Sequence, residues 1–389
     1  MDERRVYLDN SATTPVAEEV LREMIPYFNK AMGNPNSLHT WGREARRAVD
    51  EARGDVAALV GADASEIIFT GGGSASDNLA IKGSVWGTKG TRKHIITSAV
   101  EHHAVLDTCK WLGQNGCDVT ILPVDKFGMI SPDSLTNAIR DDTLLVSVMH
   151  ANNEVGTVNP IAKLGEICRN RGVIFHTDAV QSIGHIPVRL KELPVDMLTM
   201  SAHKMYGPKG VGALYIRKGL KLVSIIHGGG QEFGIYSGTE NVPGIVGFGA
   251  AARLAVKLNE SEEEKRITSL RDKLINGVLE LIPDTVLTGH RTERLPFHVS
   301  FCVRGADGSD ILVEMDRAGI GGSSGSACTS GSTEPSYVLL AMGFDHGTAH
   351  GSVRLTLNKN TTEEDISYVL EKLPAIAESA RKSLYKRKK

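Results

Sequence analysis

The chain has 389 residues, 41% of them hydrophobic and 23% charged, with a formal net charge of −2. This composition is typical of a soluble globular protein large enough for two domains. It speaks against direct nucleic-acid binding and against a membrane protein, because no apolar run could span a bilayer. The five cysteines lack Cys-x-x-Cys spacing and residues 1–5 lack a signal-peptide pattern. We therefore expect a cytoplasmic protein with reduced thiols and no metal site or disulfide framework.

The first predicted elements are a short strand at residues 6–10 and helices at 17–28 and 43–60. Apolar runs then alternate with segments of helical periodicity. The predicted strands are 66–70, 94–98, 119–123, 144–149, 173–177, 197–200 and 210–216, and the predicted helices are 74–86, 103–115, 132–140 and 161–170. This alternation predicts an α/β fold with a mostly parallel sheet and helices on both faces. A long helical stretch from 244 to about 282 and a smaller α+β domain are expected to follow.

Polar residues follow almost every predicted strand of this sheet. Ligands bind at the carboxyl ends of strands in open α/β sheets, so these residues are candidates for one site. They are the glycine loop 71–73 with Ser74; Glu101, His102 and His103; His150, Asn152, Asn153 and Glu154; Asp178 and Gln181; and Ser201, His203 and Lys204.

The chemistry of four of these features is complementary. A buried lysine such as Lys204 loses its proton readily and can form a Schiff base, although a lone loop lysine is more often solvated. The glycine loop leads into a helix N-terminus that can hold a phosphate; it lacks the Walker pattern, and a packing turn is equally compatible with it. Asp178 needs a partner such as a protonated ring nitrogen. His102 is a flat ring for stacking, although a core histidine is the default interpretation. Together they predict a pyridoxal 5′-phosphate (PLP) site.

Further motifs extend from one end of the chain to the other. They are 7–14 (YLDNSATT), 33–39 (GNPNSLH), 78–83 (NLAIKG), 152–156 (NNEVG), 176–181 (HTDAVQ), 201–210 (SAHKMYGPKG), 237–241 (SGTEN) and 326–330 (SACTS). Through them the chain resembles the cysteine desulfurases of the NifS/IscS type, in the class V aminotransferase group. The resemblance implies PLP fold type I, with a mostly parallel seven-stranded sheet in a large domain at residues 15–255. It also implies a smaller α+β domain, residues 1–14 and 256–389, which carries the active-site cysteine loop and a carboxylate-binding arginine.

The resemblance also implies roles for single residues toward the cofactor. Lys204 would hold PLP covalently and shuttle the α-proton of the substrate, Asp178 would pair with the ring nitrogen, and His102 would stack on the ring. The other cofactor contacts would be Gln181 and Asn153 near the ring oxygen, Gly73, Ser74, Ser201 and His203 at the phosphate, and Thr239 at the phosphate of the other subunit of a homodimer.

For the substrate, the resemblance implies L-cysteine. Arg354 would bind its carboxylate through two hydrogen bonds, with Asn153 and Asn34 nearby. Cys328, in a Gly/Ser-rich loop, would attack the substrate sulfur and keep it as a persulfide while L-alanine leaves. The sulfur would pass to an acceptor protein such as an iron–sulfur scaffold, or serve thiolation of tRNA or a cofactor.

The sequence departs from the family pattern at two places, and two alternative functions remain open. The phosphate loop has Ser74-Ala75 where a Thr-Glu pair is usual, and Phe233 and Tyr236 stand where arginine is frequent. The first alternative is another PLP enzyme of this fold, a selenocysteine lyase or an aminotransferase; transamination needs no thiol, so Cys328 favours the desulfurase. The second is a non-catalytic scaffold or sulfur-relay partner, against which the presence of Lys204 and the other predicted catalytic residues argues.

Overall fold

The computed structural model describes residues 4–88, 90, 93–259, 261–325 and 334–387. Within them the strands, in chain order, are β1 (Val6–Tyr7), β2 (Ile67–Thr70), β3 (His94–Ser98), β4 (Asp118–Leu122), β5 (Thr143–Ser147), β6 (Ile174–Asp178), β7 (Met197–Ser201), β8 (Gly212–Ile216), β9 (Thr285–Leu287), β10 (His298–Val303), β11 (Ile320–Gly321) and β12 (Ser352–Thr356).

The helices of the same residues cover both faces of the main sheet and build the C-terminal part. They are α1 (Glu18–Met24), α2 (Pro26–Asn29), α3 (Thr40–Val60), α4 (Gly73–Gly87), α5 (His103–Gln114), α6 (Pro132–Ala138), α7 (Ile161–Asn170), α8 (Val242–Asn259), α9 (Glu263–Leu281), α10 (Gly308–Arg317), α11 (Tyr337–Ala341), α12 (His346–His350) and α13 (Glu363–Arg387). In the part of the chain that the structure describes, none of them combines the length and the apolar character that a membrane crossing requires.

Seven strands form the central sheet in the order β2-β8-β7-β6-β5-β3-β4. The pairs from β7 to β4 are parallel, which confirms the predicted mostly parallel sheet. β8 runs antiparallel to both of its neighbours, β2 and β7. A short loop connects β7 to β8 and leaves no room for the crossover helix that a parallel pair needs. As a result, β3, β5, β6 and β7 end at the same edge of the sheet.

Local sequence signals explain where several helices begin and end. The predicted helix at 43–60 begins earlier, at Thr40, because the His39 ring accepts a hydrogen bond from the Gly42 N–H at 3.2 Å. It ends at Gly61, whose φ of 71° lies in the left-handed region that glycine adopts without strain. The predicted helix at 17–28 is instead two short helices, because Pro26 lacks an N–H and begins the second one.

The C-terminal part has a sheet and an apolar core of its own. Its three antiparallel strands have the order β12-β10-β9; α9 and α10 pack on this sheet, and α13 packs on α9 and α10. β1 pairs with β11 rather than with the central sheet, and the predicted strand at 6–10 is limited to two residues plus a bridge from Asp9 to Thr356. The predicted helical stretch 244–282 divides into α8, which packs in the core of the central sheet, and α9, which packs in the second core. The domain limits at 14/15 and 255/256 stay a prediction.

Candidate functional site

A cavity of about 260 Å³ lies at the carboxyl ends of the parallel strands. Segments far apart in the sequence meet there, which brings most of the predicted site residues together. Those that line it are Gly73, Ser74, His102, Asn153, Asp178, Gln181, Ser201, His203, Lys204 and Arg354. The strand order therefore gathers the predicted residues into one site, as expected for the edge of a parallel sheet.

Lys204 lies on a short 3₁₀ turn directly after β7 and points into this cavity. Its Nζ donates to the backbone carbonyls of Ser11 and Ala12, the latter at 2.8 Å. Its own backbone carbonyl accepts a hydrogen bond from Nε2 of His185 at 2.8 Å. Lys204 is therefore a half-buried, positioned amine and not the solvated loop lysine of the alternative interpretation.

Asp178 is a buried carboxylate that lines the cavity, with 6% of its surface exposed. Its Oδ1 accepts a hydrogen bond from the Val180 N–H at 2.9 Å. Burial raises the pKa of Asp178, while His102, the Val180 N–H and Lys204 oppose that rise. A cation that binds against Asp178 would replace the water that the carboxylate has lost, which suits a protonated ring nitrogen.

His102 caps the N-terminus of α5 from the edge of the cavity. Its Nδ1 accepts a hydrogen bond from the Ala104 N–H at 3.1 Å. The proton of the neutral ring must therefore be on Nε2. Burial lowers the pKa of His102, with the charge of Asp178 opposing, so the ring is neutral near pH 7 and offers a flat face and one N–H.

The glycine loop supplies the anion-binding end of the cavity. Gly72 has a φ of 137°, which favours glycine, and α4 begins at Gly73 without a side-chain cap. A Cβ at Gly73 would lie 3.0 Å from Cγ2 of Val180, so a side chain there would crowd the cavity. Across from the loop, His203 bonds through Nδ1 to Oγ1 of Thr13 at 3.2 Å, and burial lowers the pKa of His203 to about 4. The free N–H groups and the positive dipole end of this 15-residue helix, together with the neutral His203 ring, suit the binding of a phosphate.

Arg354 forms the opposite end of the cavity, 3% exposed. One terminal nitrogen donates to the backbone carbonyl of Asn153 at 3.0 Å and the other to Oδ1 of Asp9 at 3.0 Å. Within the described residues, Nε of Arg354 and Oδ1 of Asn153 are buried without a hydrogen-bond partner. A buried cation with an unused N–H beside an unused amide oxygen can bind an amino acid.

Among the described residues with a predicted cofactor or substrate role, Asn34 and Thr239 do not line the cavity. Asn34 is exposed, and its side chain accepts a hydrogen bond from the Asn36 N–H at 2.9 Å within its own turn. Thr239 is exposed and lines a separate cavity of about 120 Å³ together with Gly71 and Tyr236. Cys328 lies outside the described residues.

Sequence reasoning assigned no role to two buried carboxyl groups: Asp77 was not among the candidates, whereas Glu101 was a strand-end candidate without an assigned role. Asp77 is 1% exposed and lines the cavity; burial and the charge of Asp178 raise its pKa well above the ordinary value. Its position one helical turn after Ser74 was the sequence signal, since residues three apart share a helix face. Glu101, which precedes His102 in the chain, is fully buried and accepts hydrogen bonds from Oγ of Ser98 at 2.5 Å and the Met149 N–H at 3.0 Å. Burial raises the pKa of Glu101 to about 8.

Comparison with known proteins identifies the family of the chain. A model of the family described as Aminotransferase class-V matches residues 6–369. The chain belongs to this family. Among curated relatives, the cysteine desulfurase IscS of Methanosarcina thermophila is 51% identical over 98% of this chain and 94% of its own length. The IscS of Dictyoglomus turgidum is 51% identical over 97% of this chain and 96% of its own.

Solved structures of similar proteins have the same fold. A NifS-like protein superimposes with a TM-score of 0.91 at 40% identity, over 97% of this chain and 100% of its own. SspA in complex with cysteine superimposes with a TM-score of 0.80 at 37% identity, over 92% of this chain and 100% of its own. The fold is thus that of the PLP enzymes of fold type I, as the resemblance implied.

Proposed function

We propose that this class V protein is a PLP-dependent cysteine desulfurase, which converts L-cysteine to L-alanine and transfers the sulfur to Cys328 as a persulfide. The observation that carries the proposal is the convergence of Lys204, Asp178, His102 and Arg354 on one cavity. The names and the close similarity of the curated relatives, about half identical over nearly the whole chain, support the same activity.

The residues of the cavity fit PLP. Its phosphate would bind at the N-terminus of α4 with Ser201 and His203, its ring nitrogen would pair with Asp178, and His102 would face the ring. Lys204 would supply the amine that holds it. When bound, PLP withdraws electrons from the amino acid attached to it.

The substrate L-cysteine would bind between the two ends of the cavity. Its carboxylate would accept from the Arg354 guanidinium, and the Asn153 side chain would lie beside it. Among the solved relatives, SspA is described in complex with cysteine. Nζ of Lys204 would take the α-proton of the substrate and later return a proton, while His102 would hold its proton on Nε2.

Cys328 would perform the sulfur transfer. Its thiolate forms a bond to the substrate sulfur while the carbon–sulfur bond of the substrate breaks. The electron pair of that bond goes to the three-carbon fragment, which takes up a proton and leaves as alanine. A thiolate of an acceptor protein then forms a bond to the outer sulfur of the persulfide, and the Cys328 thiolate leaves. We propose that the acceptor is an iron–sulfur scaffold and that the enzyme works as a homodimer.

Replacement of Cys328 separates this function from a transaminase or lyase. We expect Cys328→Ala to keep the visible absorption of bound PLP and to bind cysteine, but to release almost no sulfide. Wild-type protein treated with cysteine should gain one sulfur atom on the Cys328 peptide by mass spectrometry, and the variant should not. Cys117→Ala, at a half-buried cysteine away from the cavity, is the matched control and should retain activity. Alanine and sulfide production by Cys328→Ala at the wild-type rate would show that the proposed function is wrong.

A further inference from the structure

Glu154 occupies a buried position between the substrate end of the cavity and both flanks of residues 326–333. It belongs to a rigid turn, because Oδ1 of Asn152 accepts hydrogen bonds from the N–H groups of Glu154 and Val155 at 2.8 and 2.9 Å. The turn is tied to the rest of the fold, since Nδ2 of Asn152 donates to the carbonyl of Val100 at 2.9 Å. Glu154 itself is 5% exposed, so its carboxylate needs protein partners in place of water.

The C-terminal flank bonds directly to that carboxylate. The hydroxyl of Ser336, which is 2% exposed, donates to Oε2 of Glu154. The same hydroxyl oxygen accepts from the Leu339 N–H at 3.2 Å and so caps α11. The hydroxyl has a single proton, which it donates in the hydrogen bond to Glu154. Its oxygen caps α11 at the same time, so the start of α11 and the carboxylate are held in one geometry.

The N-terminal flank packs against the same oxygen atom. A Cβ at Gly325 would lie 2.6 Å from Oε2 of Glu154 and 3.0 Å from Cβ of Ser336. Two residues earlier, Ser323 exchanges backbone hydrogen bonds with Arg354 at 2.6 and 3.0 Å. Arg354 in turn donates to the carbonyl of Asn153, the residue before Glu154. Both flanks therefore meet at one carboxylate, beside the arginine expected to bind substrate.

We propose that Glu154 is a positioning residue for sulfur transfer: its carboxylate holds Gly325 and Ser336 in place relative to Arg354, and so determines where Cys328 can react. The proposal rests on the proposed role of Cys328. Burial raises the pKa of Glu154 to about 7, with the Ser336 hydroxyl and the Arg354 charge opposing. Because the Glu154 carboxylate is desolvated, it depends on its protein partners. Its removal should therefore loosen both Gly325 and Ser336.

The test measures the rate at which iodoacetamide alkylates Cys328 in the purified holoenzyme, resolved from the other cysteines by peptide mass spectrometry. Loss of a hydrogen bond to a charged group should raise that rate in Glu154→Ala by about tenfold. The kcat for cysteine should fall by a similar factor while the KM changes little, because Arg354 is retained. Glu154→Gln keeps an acceptor oxygen of the same shape and should restore a rate near that of the wild type.

Two controls separate positioning from general loosening of the fold. Cys117 and the buried Cys109 should keep their wild-type alkylation rates in Glu154→Ala, and Glu166→Ala, at an exposed glutamate on α7, should change nothing. Ser336→Ala should raise Cys328 alkylation without adding to the effect of Glu154→Ala in the double variant, since the two groups share one bond. If Glu154→Ala does not fold, Ser336→Ala and Glu154→Gln provide the same comparison.

Unchanged Cys328 alkylation and kcat in Glu154→Ala would overturn the proposal, as would an equal rise at Cys117 and Cys109. The alkylation rate does not depend on desulfuration, so it stays informative even if Cys328→Ala shows the proposed function to be wrong.

Discussion

The guanidinium of Arg354 donates to the carboxylate of Asp9 at 3.0 Å, although the two residues lie at opposite ends of the chain. The arginine that we expect to bind the substrate carboxylate thus already has a carboxylate partner. Asp9 fixes the plane of the guanidinium, while the carbonyl of Asn153 holds the other terminal nitrogen. The N-terminal segment therefore contributes directly to the substrate end of the cavity.

The first prediction concerns this guanidinium. Lysine would keep the charge at position 354 but lose the planar fork, so it could not bind Asp9, Asn153 and a substrate carboxylate together. We expect Arg354→Lys to raise the KM for cysteine by about tenfold or more, with a smaller effect on PLP affinity. Steady-state kinetics and PLP titration measure the two effects, and Arg189→Lys, at an exposed arginine, is the control. An unchanged KM would show that Arg354 does not bind the substrate carboxylate.

The second prediction concerns the amine of Lys204. Borohydride reduction of the holoenzyme should attach the cofactor permanently to the peptide that contains Lys204, detected by mass spectrometry. Lys204→Ala should give no such adduct, bind PLP loosely and produce no alanine from cysteine. Lys209→Ala removes an exposed lysine of the same loop and should leave the adduct in place. An adduct on a different lysine, or a colourless wild-type protein that PLP cannot reconstitute, would contradict the assignment.

The third prediction concerns the effect of pH on stability through Glu101. In the unfolded chain this group ionises near its ordinary pKa of 4.5, whereas burial holds the folded pKa at about 8. From about pH 6 to about pH 8 the folded protein keeps a proton that the unfolded chain has lost, so the free energy of unfolding falls by about 2 kcal/mol as the pH rises.

Glutamine at this position has no proton to lose. Between the same two pH values, the free energy of unfolding of Glu101→Gln should therefore fall by about 2 kcal/mol less than that of the wild type. Urea unfolding at both pH values measures the difference, and Glu166→Gln, at an exposed glutamate, should behave like the wild type. Equal pH dependence in Glu101→Gln and the wild type would mean that Glu101 is not protonated in the folded protein.

The fourth prediction concerns Thr239, which lies outside the Lys204 cavity of its own chain. If it reaches the phosphate of a second subunit, the protein should be a dimer by sedimentation. Thr239→Ala should then weaken PLP binding by about tenfold, through the loss of a hydrogen bond to a charged group. Thr136→Ala, at an exposed threonine of α6, should have no effect. A fully active monomer, or unchanged PLP affinity in Thr239→Ala, would exclude this role.

Much of the site could be predicted because its residues follow strands directly. Asp178 ends β6, Ser201 ends β7, and Lys204 lies three residues further on. Apolar runs and glycine turns mark those strands in the sequence, and parallel strands necessarily bring their carboxyl ends together. The antiparallel direction of β8 was not predicted, because a strand has the same periodicity in either direction.

The sequence by itself determined the order of strands and helices, the residues at the strand ends and the family to which the chain belongs. Local periodicity and turn chemistry depend on neighbouring residues, so they can be read from the chain alone. Tertiary structure alone decided that the carbonyls of Ser11 and Ala12 hold the Lys204 amine, that Asp9 holds Arg354, and that Glu154 meets both flanks of residues 326–333. Each of these contacts joins segments far apart in the chain. Burial, which shifts the pKa of Glu101 and Glu154, exists only after those segments have packed together.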